Sequence, residues 1–282
     1  MKSLDVVVLG RGKVGRTLAV ALRRVGVKVR LLAGRTGKPL AGEIVVLAIP
    51  DGAVFGSAER LAALPLQRRP RCVLHCAGAL GPEVLTPLTE ASVPVAQFHP
   101  LASFARPGGT ELCGVRARLA GDRRAVAAGR RLCRLLGMVP LEGPLDATGY
   151  HAAAALVSNG AVAIVAAATE LLVSSGMDAR VAASALGSLL ATTARNVDVL
   201  GLPEALTGPV RRGDAATIAR HLGVLQRDAP AAVPLFRELV AAQLTLARRF
   251  PEGKRASRSA LDAVATVVEG SAPLRSRTRK RS

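Results

Sequence analysis

The sequence predicts an α/β domain built on a parallel sheet, followed by an all-α domain. Three observations carry this prediction. Residues 4–9, LDVVVL, form an unbroken aliphatic run that ends at once in Gly10-Arg11-Gly12-Lys13-Val14-Gly15. Similar short runs recur at Val27–Leu32, Ile44–Ile49, Cys72–Leu74 and Val95–Phe98, and such continuous apolar strands belong to sheets buried on both faces. From Thr148 onward the strand patterns cease, and alanine-rich stretches of helical period run over 148–174, 178–200, 214–228 and 231–249.

Between these blocks, a strand-like stretch at Leu112–Leu119, a helix from Asp122 to Leu136 and a short strand at Met138–Leu141 complete the first domain. Gly143-Pro144 punctuates the boundary. The expected division is 1–144 for the α/β domain, 145–250 for the helical domain, and 251–282 for a C-terminal extension. That extension ends in the basic, disordered-looking run LRSRTRKRS.

Composition narrows the function classes. A chain of 282 residues with 50% hydrophobic side chains builds a sizeable core. The net charge of +19 suggests polyanions, yet aromatics are 2% of residues and there is no Trp to stack on bases, so specific nucleic-acid recognition is not expected. Cys72, Cys76, Cys113 and Cys133 are scattered, form no C-x-x-C pair and follow no secretory signal, which points to buried thiols in the cytosol. His75-Cys76 and His99 lack metal-ligand spacing, so no metal site is expected. Ala152–Thr169 is long and uncharged enough to raise a membrane span. Ser158, Asn159, Gly160 and the small alanines favour instead a buried helix of a soluble protein.

The first functional signal is the strand, glycine turn and helix at residues 4–24. In a G-x-G-x-x-G turn, Gly10 permits the tight bend, Gly12 lets the backbone approach a pyrophosphate, and Gly15 allows the helix to pack on the strand. Arg11, Lys13 and Val14 complete that turn, whose helix amides face the phosphates. This is the fingerprint of a Rossmann-like domain. The second strand ends in Ala33-Gly34-Arg35-Thr36, with no carboxylate for ribose hydroxyls. Arg35 and Thr36 suit a 2′-phosphate instead, so the cofactor expected is NADP(H). The loops IPDG, HCAG and HPLASF follow further strands, and ligands of parallel sheets bind beyond strand carboxyl ends. Pro50 and His75 are therefore assigned to the cofactor, and His99 and Ser103 to the nicotinamide and substrate side.

The second half holds the polar stretch YHAAAALVSNG. On a 3.6-residue period His151 and Ser158 share a stripe, with Asn159 beside them. No lysine occurs between Lys38 and Lys254, so this domain supplies no lysine acid. Reduction of a ketone needs a proton donor near the developing alkoxide, and histidine is the available residue type that titrates near neutrality. His151, Ser158 and Asn159 are accordingly the catalytic candidates. In the segment ALTGPVRRGD, Asp214 suits a helix cap or a substrate contact, and Arg212 suits a substrate carboxylate. His221 follows Asp214 by two turns and shares its face, so the two are expected to pair.

The segments GRGKVG, HCAGAL, FHPLASF, YHAAAALVSN and LTGPVRRGD, in this order and spacing, resemble a family of bacterial two-domain oxidoreductases. Its members join a Rossmann-like N-terminal domain to a helical C-terminal domain of originally unknown function, similar to that of 6-phosphogluconate dehydrogenase. The family is related to ketopantoate reductase, pyrroline-5-carboxylate reductase and the β-hydroxyacid dehydrogenases. The resemblance reaches to about Arg249. It implies NADPH, a cleft between the domains, dimerisation through the helical domain, and a small carboxylate substrate. It also implies that Asn159 matches the asparagine of the Lys-x-x-x-Asn motif of related reductases, whose lysine position here is Ala155. One turn earlier stands His151, which takes the proton-donor role. Ala77 departs from the serine often found there. His99-Pro100 resembles the His-Pro element of prephenate dehydrogenase-like enzymes, and Asn196, Arg212 and Asp214 match later motifs.

The function expected is NADPH-dependent reduction of a small keto acid, with 2-dehydropantoate in the lead. The rivals are an oxidoreductase acting on an imine or a deazaflavin, a non-catalytic NADPH sensor, and a nucleic-acid-binding protein.

Overall fold

The computed structural model describes residues 4–34 and 42–270. The chain divides into two compact units, Met1–Ser158 and Asn159–Ser282. The division falls after Gly143-Pro144 because Tyr150 and His151 pack with the first unit, against His99.

Seven strands form the sheet of the first unit: β1 (Asp5–Leu9), β2 (Lys28–Leu32), β3 (Ile44–Leu47), β4 (Cys72–His75), β5 (Val95–Pro100), β6 (Arg116–Gly121) and β7 (Val139–Leu141). Their order is β2-β1-β3-β4-β5-β6-β7. Strands β1 to β5 are parallel, β6 runs antiparallel to β5, and β7 is parallel to β6. Successive side chains alternate between faces. Val6 and Val8 therefore join Leu18 and Leu22 of α1 (Lys13–Arg24) and Leu132 of α4 (Arg123–Leu136). Val7 and Leu9 join Leu61 of α2 (Val54–Ala62) and Leu88 of α3 (Thr86–Glu90) on the other face. Helices cover both faces, which is why the strands read as continuous apolar runs. Each such buried aliphatic side chain contributes about 1.5–3 kcal/mol.

The unbroken chemistry of these runs hides their ends. β4 extends one residue further than its apolar run and takes in His75, and β5 takes in His99 and Pro100. Asp122 caps α4, its carboxylate accepting from the Arg124 N–H at 2.7 Å, and Gly137 ends that helix at φ +67°.

The second unit contains most of α5 (Ala147–Ser174), then α6 (Ala179–Leu200), α7 (Gly208–Arg212), α8 (Ala215–Asp228), α9 (Val233–Ala247) and α10 (Arg258–Glu269). Asp178 caps α6 through the N–H groups of Arg180 and Val181, each at 3.0 Å. Its core joins Val210, Ile218, Val240, Leu244, Leu261, Val264 and Val268. The last three belong to α10, so residues 258–269 are part of the folded unit and not an extension to it. The basic run 271–282 lies outside the described residues.

A second correction concerns α5. The sequence suggests a buried helix, yet none of its residues is buried. Leu156 is 77% and Val157 73% exposed. By length and composition α5 is apolar enough to cross a membrane; a 28-residue helix rises about 42 Å. Much of its apolar surface is left uncovered by the described residues.

Candidate active site

β1 and β3 are neighbours in the sheet although β2 lies between them in sequence, so the chain changes direction at the carboxyl ends of these two strands. Such switch points open a crevice for ligands. Here Gly10 has φ +122°, and a Cβ on it would stand 2.0 Å from the Ala48 carbonyl oxygen. A Cβ on Gly15 would stand 2.0 Å from the Gly10 carbonyl oxygen. Gly12 has nothing within 4 Å. The three glycines thus serve three separate ends: the bend, the open approach and the helix contact. Helix α1 starts from Gly12 with no side-chain cap and no acidic residue in its first turn, leaving its positive end for an anion.

A cavity of about 430 Å³ opens at this turn. Its walls are Gly12, Lys13 and Val14 of the turn, Ala48 to Asp51 after β3, Cys76 and Gly78 after β4, His99 and Phe104, and His151 of α5. Both the turn and two of the histidines therefore face one space. Pro50 lies in the wall as expected. Arg11 is exposed and outside the lining, while its carbonyl accepts from the Arg16 Nε at 2.8 Å. Arg35 and Thr36 lie outside the described residues.

The histidines form a packed group. His99 and Tyr150 share a hydrogen bond of 3.1 Å between Nδ1 and the hydroxyl, and their rings meet edge to face with centroids 5.5 Å apart. His151 meets His99 in the same manner at 5.8 Å. Space for both rings comes from Gly78, where a Cβ would lie 2.3 Å from His151 Nδ1 and 2.8 Å from His99 Nε2. Arg118, opposite His99 in the β5–β6 ladder, is buried and donates to the Gln97 side-chain oxygen and to the Leu145 carbonyl. Its guanidinium stands 5.5 Å from the centre of the Tyr150 ring. Gln97 in turn donates to the carbonyls of Ala77 and Gly78, fixing the loop that carries Gly78. Gln97 and Arg118 escape sequence reasoning, since cross-strand register is not written in the chain, whereas Gly78 and Tyr150 lie inside the quoted motifs HCAG and YHAAAALVSNG without a role read for them.

Burial lowers the His99 pKa to about 4, with the charges of His151, His75 and Arg118 opposing protonation further. His99 is thus neutral near pH 7. Burial also raises the Tyr150 hydroxyl above its usual range.

Several expected site residues fall elsewhere. His75 is fully buried inside β4 and does not line the cavity; one extra strand residue turns it inward, away from the position expected of a cofactor contact. Ser103 is exposed, and Phe104 beside it supplies the wall. Ser158 is partly exposed and Asn159 exposed, on α5. Asn196 is exposed on α6. Asp214 caps α8, its carboxylate accepting from the Thr217 N–H at 3.0 Å and hydroxyl at 2.7 Å. Those bonds hold its pKa down, and the cap is the role the structure shows. His221 stacks edge-on against Phe236 at 6.4 Å rather than pairing with Asp214. Arg211 lies over the Phe250 ring at 3.6 Å and donates to the Lys254 carbonyl; its neighbour Arg212 is exposed.

Burial likewise lowers the His75 pKa from 6.5 to about 4. Above pH 6.5 both folded and unfolded chains hold this histidine neutral; below it the unfolded chain takes up a proton that the folded chain refuses. Stability is therefore expected to fall as pH drops from 6.5 towards 4, by up to about 1.4 kcal/mol per pH unit for this group. Urea unfolding at a series of pH values reads the slope, and His75→Leu is expected to flatten it. An unchanged slope in the variant contradicts the assignment.

Comparison with known proteins follows the same division. Residues 38–100 match the model of a Rossmann-like domain, and residues 115–243 match that of a domain of unknown function, DUF2520. No curated protein matches the chain. Among solved structures, a candidate NADP oxidoreductase from Bacteroides fragilis is 22% identical, with a TM-score of 0.64 over 86% of this chain and 98% of that one. An imine reductase from Streptomyces aurantiacus is 18% identical, with a TM-score of 0.55 over 92% and 98%. A pyrroline-5-carboxylate reductase from Coxiella burnetii is 14% identical, with a TM-score of 0.57 over 86% and 96%. At these identities the likeness is one of fold: a Rossmann-like α/β domain followed by a helical region, as the sequence predicted.

Proposed function

We propose that this chain is an NADP(H)-dependent reductase of a small keto acid, with 2-dehydropantoate, reduced to pantoate, as the leading substrate. The observation that carries the reading is the single cavity shared by the glycine turn, His99 and His151. The open face of Gly12 and the uncapped start of α1 fit a pyrophosphate, and the basic Arg35-Thr36 pair favours the 2′-phosphate form. When bound, NADPH supplies the hydride for the carbonyl carbon.

The chain supplies the proton. His151 is exposed to the cavity and delivers its proton to the carbonyl oxygen as the alkoxide forms. His99, held neutral, orients the His151 ring by packing edge-on against it and is itself held by the Tyr150 hydroxyl. Ser158 and Asn159 orient the substrate, and Arg212 pairs with its carboxylate; these three assignments rest on the sequence motifs. The four free cysteines suit the reducing cytosol.

A second reading, reduction of an imine, is favoured by the shared fold with the Streptomyces enzyme, since a polarised C=N bond takes the same hydride and proton. Following NADPH absorbance with ketopantoate and with a cyclic imine separates the two. Consumption with ketopantoate supports the first reading, and consumption with the imine alone replaces it. Tight NADPH binding without turnover of either supports a sensor.

The partner inferred is a second copy. Apolar side chains remain exposed along α5 and α6, among them Leu156 and Val157 on the first helix and Leu189 and Val199 on the second, and exposed apolar surface of this kind marks contact sites. Light scattering of the purified protein is expected to give a dimer that Leu189→Glu weakens. A monomeric mass, or recovery only in the membrane fraction, contradicts this.

A further inference from the structure

A second cavity of the first unit lies away from the glycine turn and shares no residue with the cavity there. It encloses about 620 Å³. Its lining comes from the amino ends of β3 and β4 and the loop before β5, the opposite end of the sheet from the dinucleotide crevice. Four arginines converge there: Arg69 and Arg71 from the loop before β4, and Arg124 and Arg131 from α4. Glu43 is the one acidic residue of the lining.

The cations differ in what they already hold. Arg69 is braced by the Leu64 carbonyl at 2.9 Å and the Ala91 carbonyl at 3.1 Å, so its charge is fixed in place. Arg131 pairs with Glu43 at 3.0 Å. Arg71 and Arg124 are exposed, and neither side chain has a hydrogen-bond or ion-pair partner among the described residues. On α4, positions 124, 127, 128 and 131 form one stripe, and the small side chains of Ala127 and Ala128 leave the middle of it open between two guanidinium groups. Asp122 already occupies the amide end of α4, so the guanidinium groups and not the helix end meet an incoming ligand.

Three uncompensated positive charges gathered in a concave site repel one another and focus a field that attracts anions. Planar guanidinium forks match phosphoryl oxygens in pairs. Apolar surface is added by Leu66, which is exposed, with Ile44 and Val93 behind it at the core. A ligand with a phosphate chain at one end and a weakly polar body at the other suits the guanidinium groups and the apolar side chain together, and the volume lies in the range of small-molecule sites.

We propose that this cavity binds a nucleoside polyphosphate, with Arg71 and Arg124 clasping the phosphates, at a site separate from that of the dinucleotide. The test is calorimetric titration of the full chain with ATP in the absence of divalent metal, with tripolyphosphate and adenosine as paired probes. The expected result is saturable ATP binding at one per chain, weaker binding of tripolyphosphate and none of adenosine. Arg71→Ala/Arg124→Ala is expected to lose at least ~10-fold in affinity. Both side chains are exposed, and an unchanged thermal midpoint verifies that the variant folds. Absence of saturable ATP binding overturns the proposal. So does binding that the double variant retains, which assigns ATP to another site such as the glycine turn.

Discussion

Replacing His151 by alanine is expected to lower turnover about 100- to 10,000-fold while NADPH binding survives. The size follows from the loss of a proton donor, and the survival follows from position. The dinucleotide contacts are assigned to Gly12 and the start of α1, whereas His151 stands on α5, against His99. His99→Ala is expected to lower turnover less, since His99 acts through the ring it packs against. Gly78→Ala should mimic both, because its methyl group would occupy space now filled by His151 Nδ1 and His99 Nε2. Steady-state rates at saturating cofactor, set beside cofactor titration of each variant, check the pattern. Unchanged turnover in His151→Ala removes that residue from the mechanism.

The second large effect separates two glycines of one turn. Gly10→Ala forces a methyl group against the Ala48 carbonyl at a backbone conformation, φ +122°, that side chains rarely adopt. Loss of several kcal/mol of stability, ~3 or more, is the expected result. Gly12→Ala meets no atom of the protein within 4 Å, so its stability should stay near that of the native chain. Its methyl group would stand where the backbone must approach a pyrophosphate, and NADPH affinity should drop by at least ~10-fold. Thermal unfolding and cofactor titration of the two variants form a crossed pair. A Gly12→Ala protein that binds NADPH normally would place the cofactor somewhere other than this turn.

Much of the α/β domain was legible because strand runs, glycine turn and helix period are local. The fingerprint at residues 10–15 named its own three roles, and the geometry at Gly10, Gly12 and Gly15 agrees with each. What failed was mostly non-local. His75 follows an apolar run and reads as a loop residue, but β4 continues through it and the alternation of the strand turns it into the core. Arg118 reads as one more arginine in a basic chain; only the β5–β6 register sets it opposite His99. Helix α5 reads as buried because it is apolar, yet burial needs a cover, which the described residues of one chain do not complete. Helix α10 is local and legible, since Leu261, Val264 and Val268 keep a helical spacing, but it lies between two charged segments that read as an extension.

The central claim is that the glycine turn holds NADPH beside the histidine group, and fluorescence titration of the full chain with NADPH, paired with NADH, tests it most directly. Saturable binding at one NADPH per chain, tighter than NADH and weakened by Gly12→Ala, is the predicted result. Absence of NADPH binding, or equal affinity for both dinucleotides, would contradict the account, the first at the turn and the second at Arg35 and Thr36.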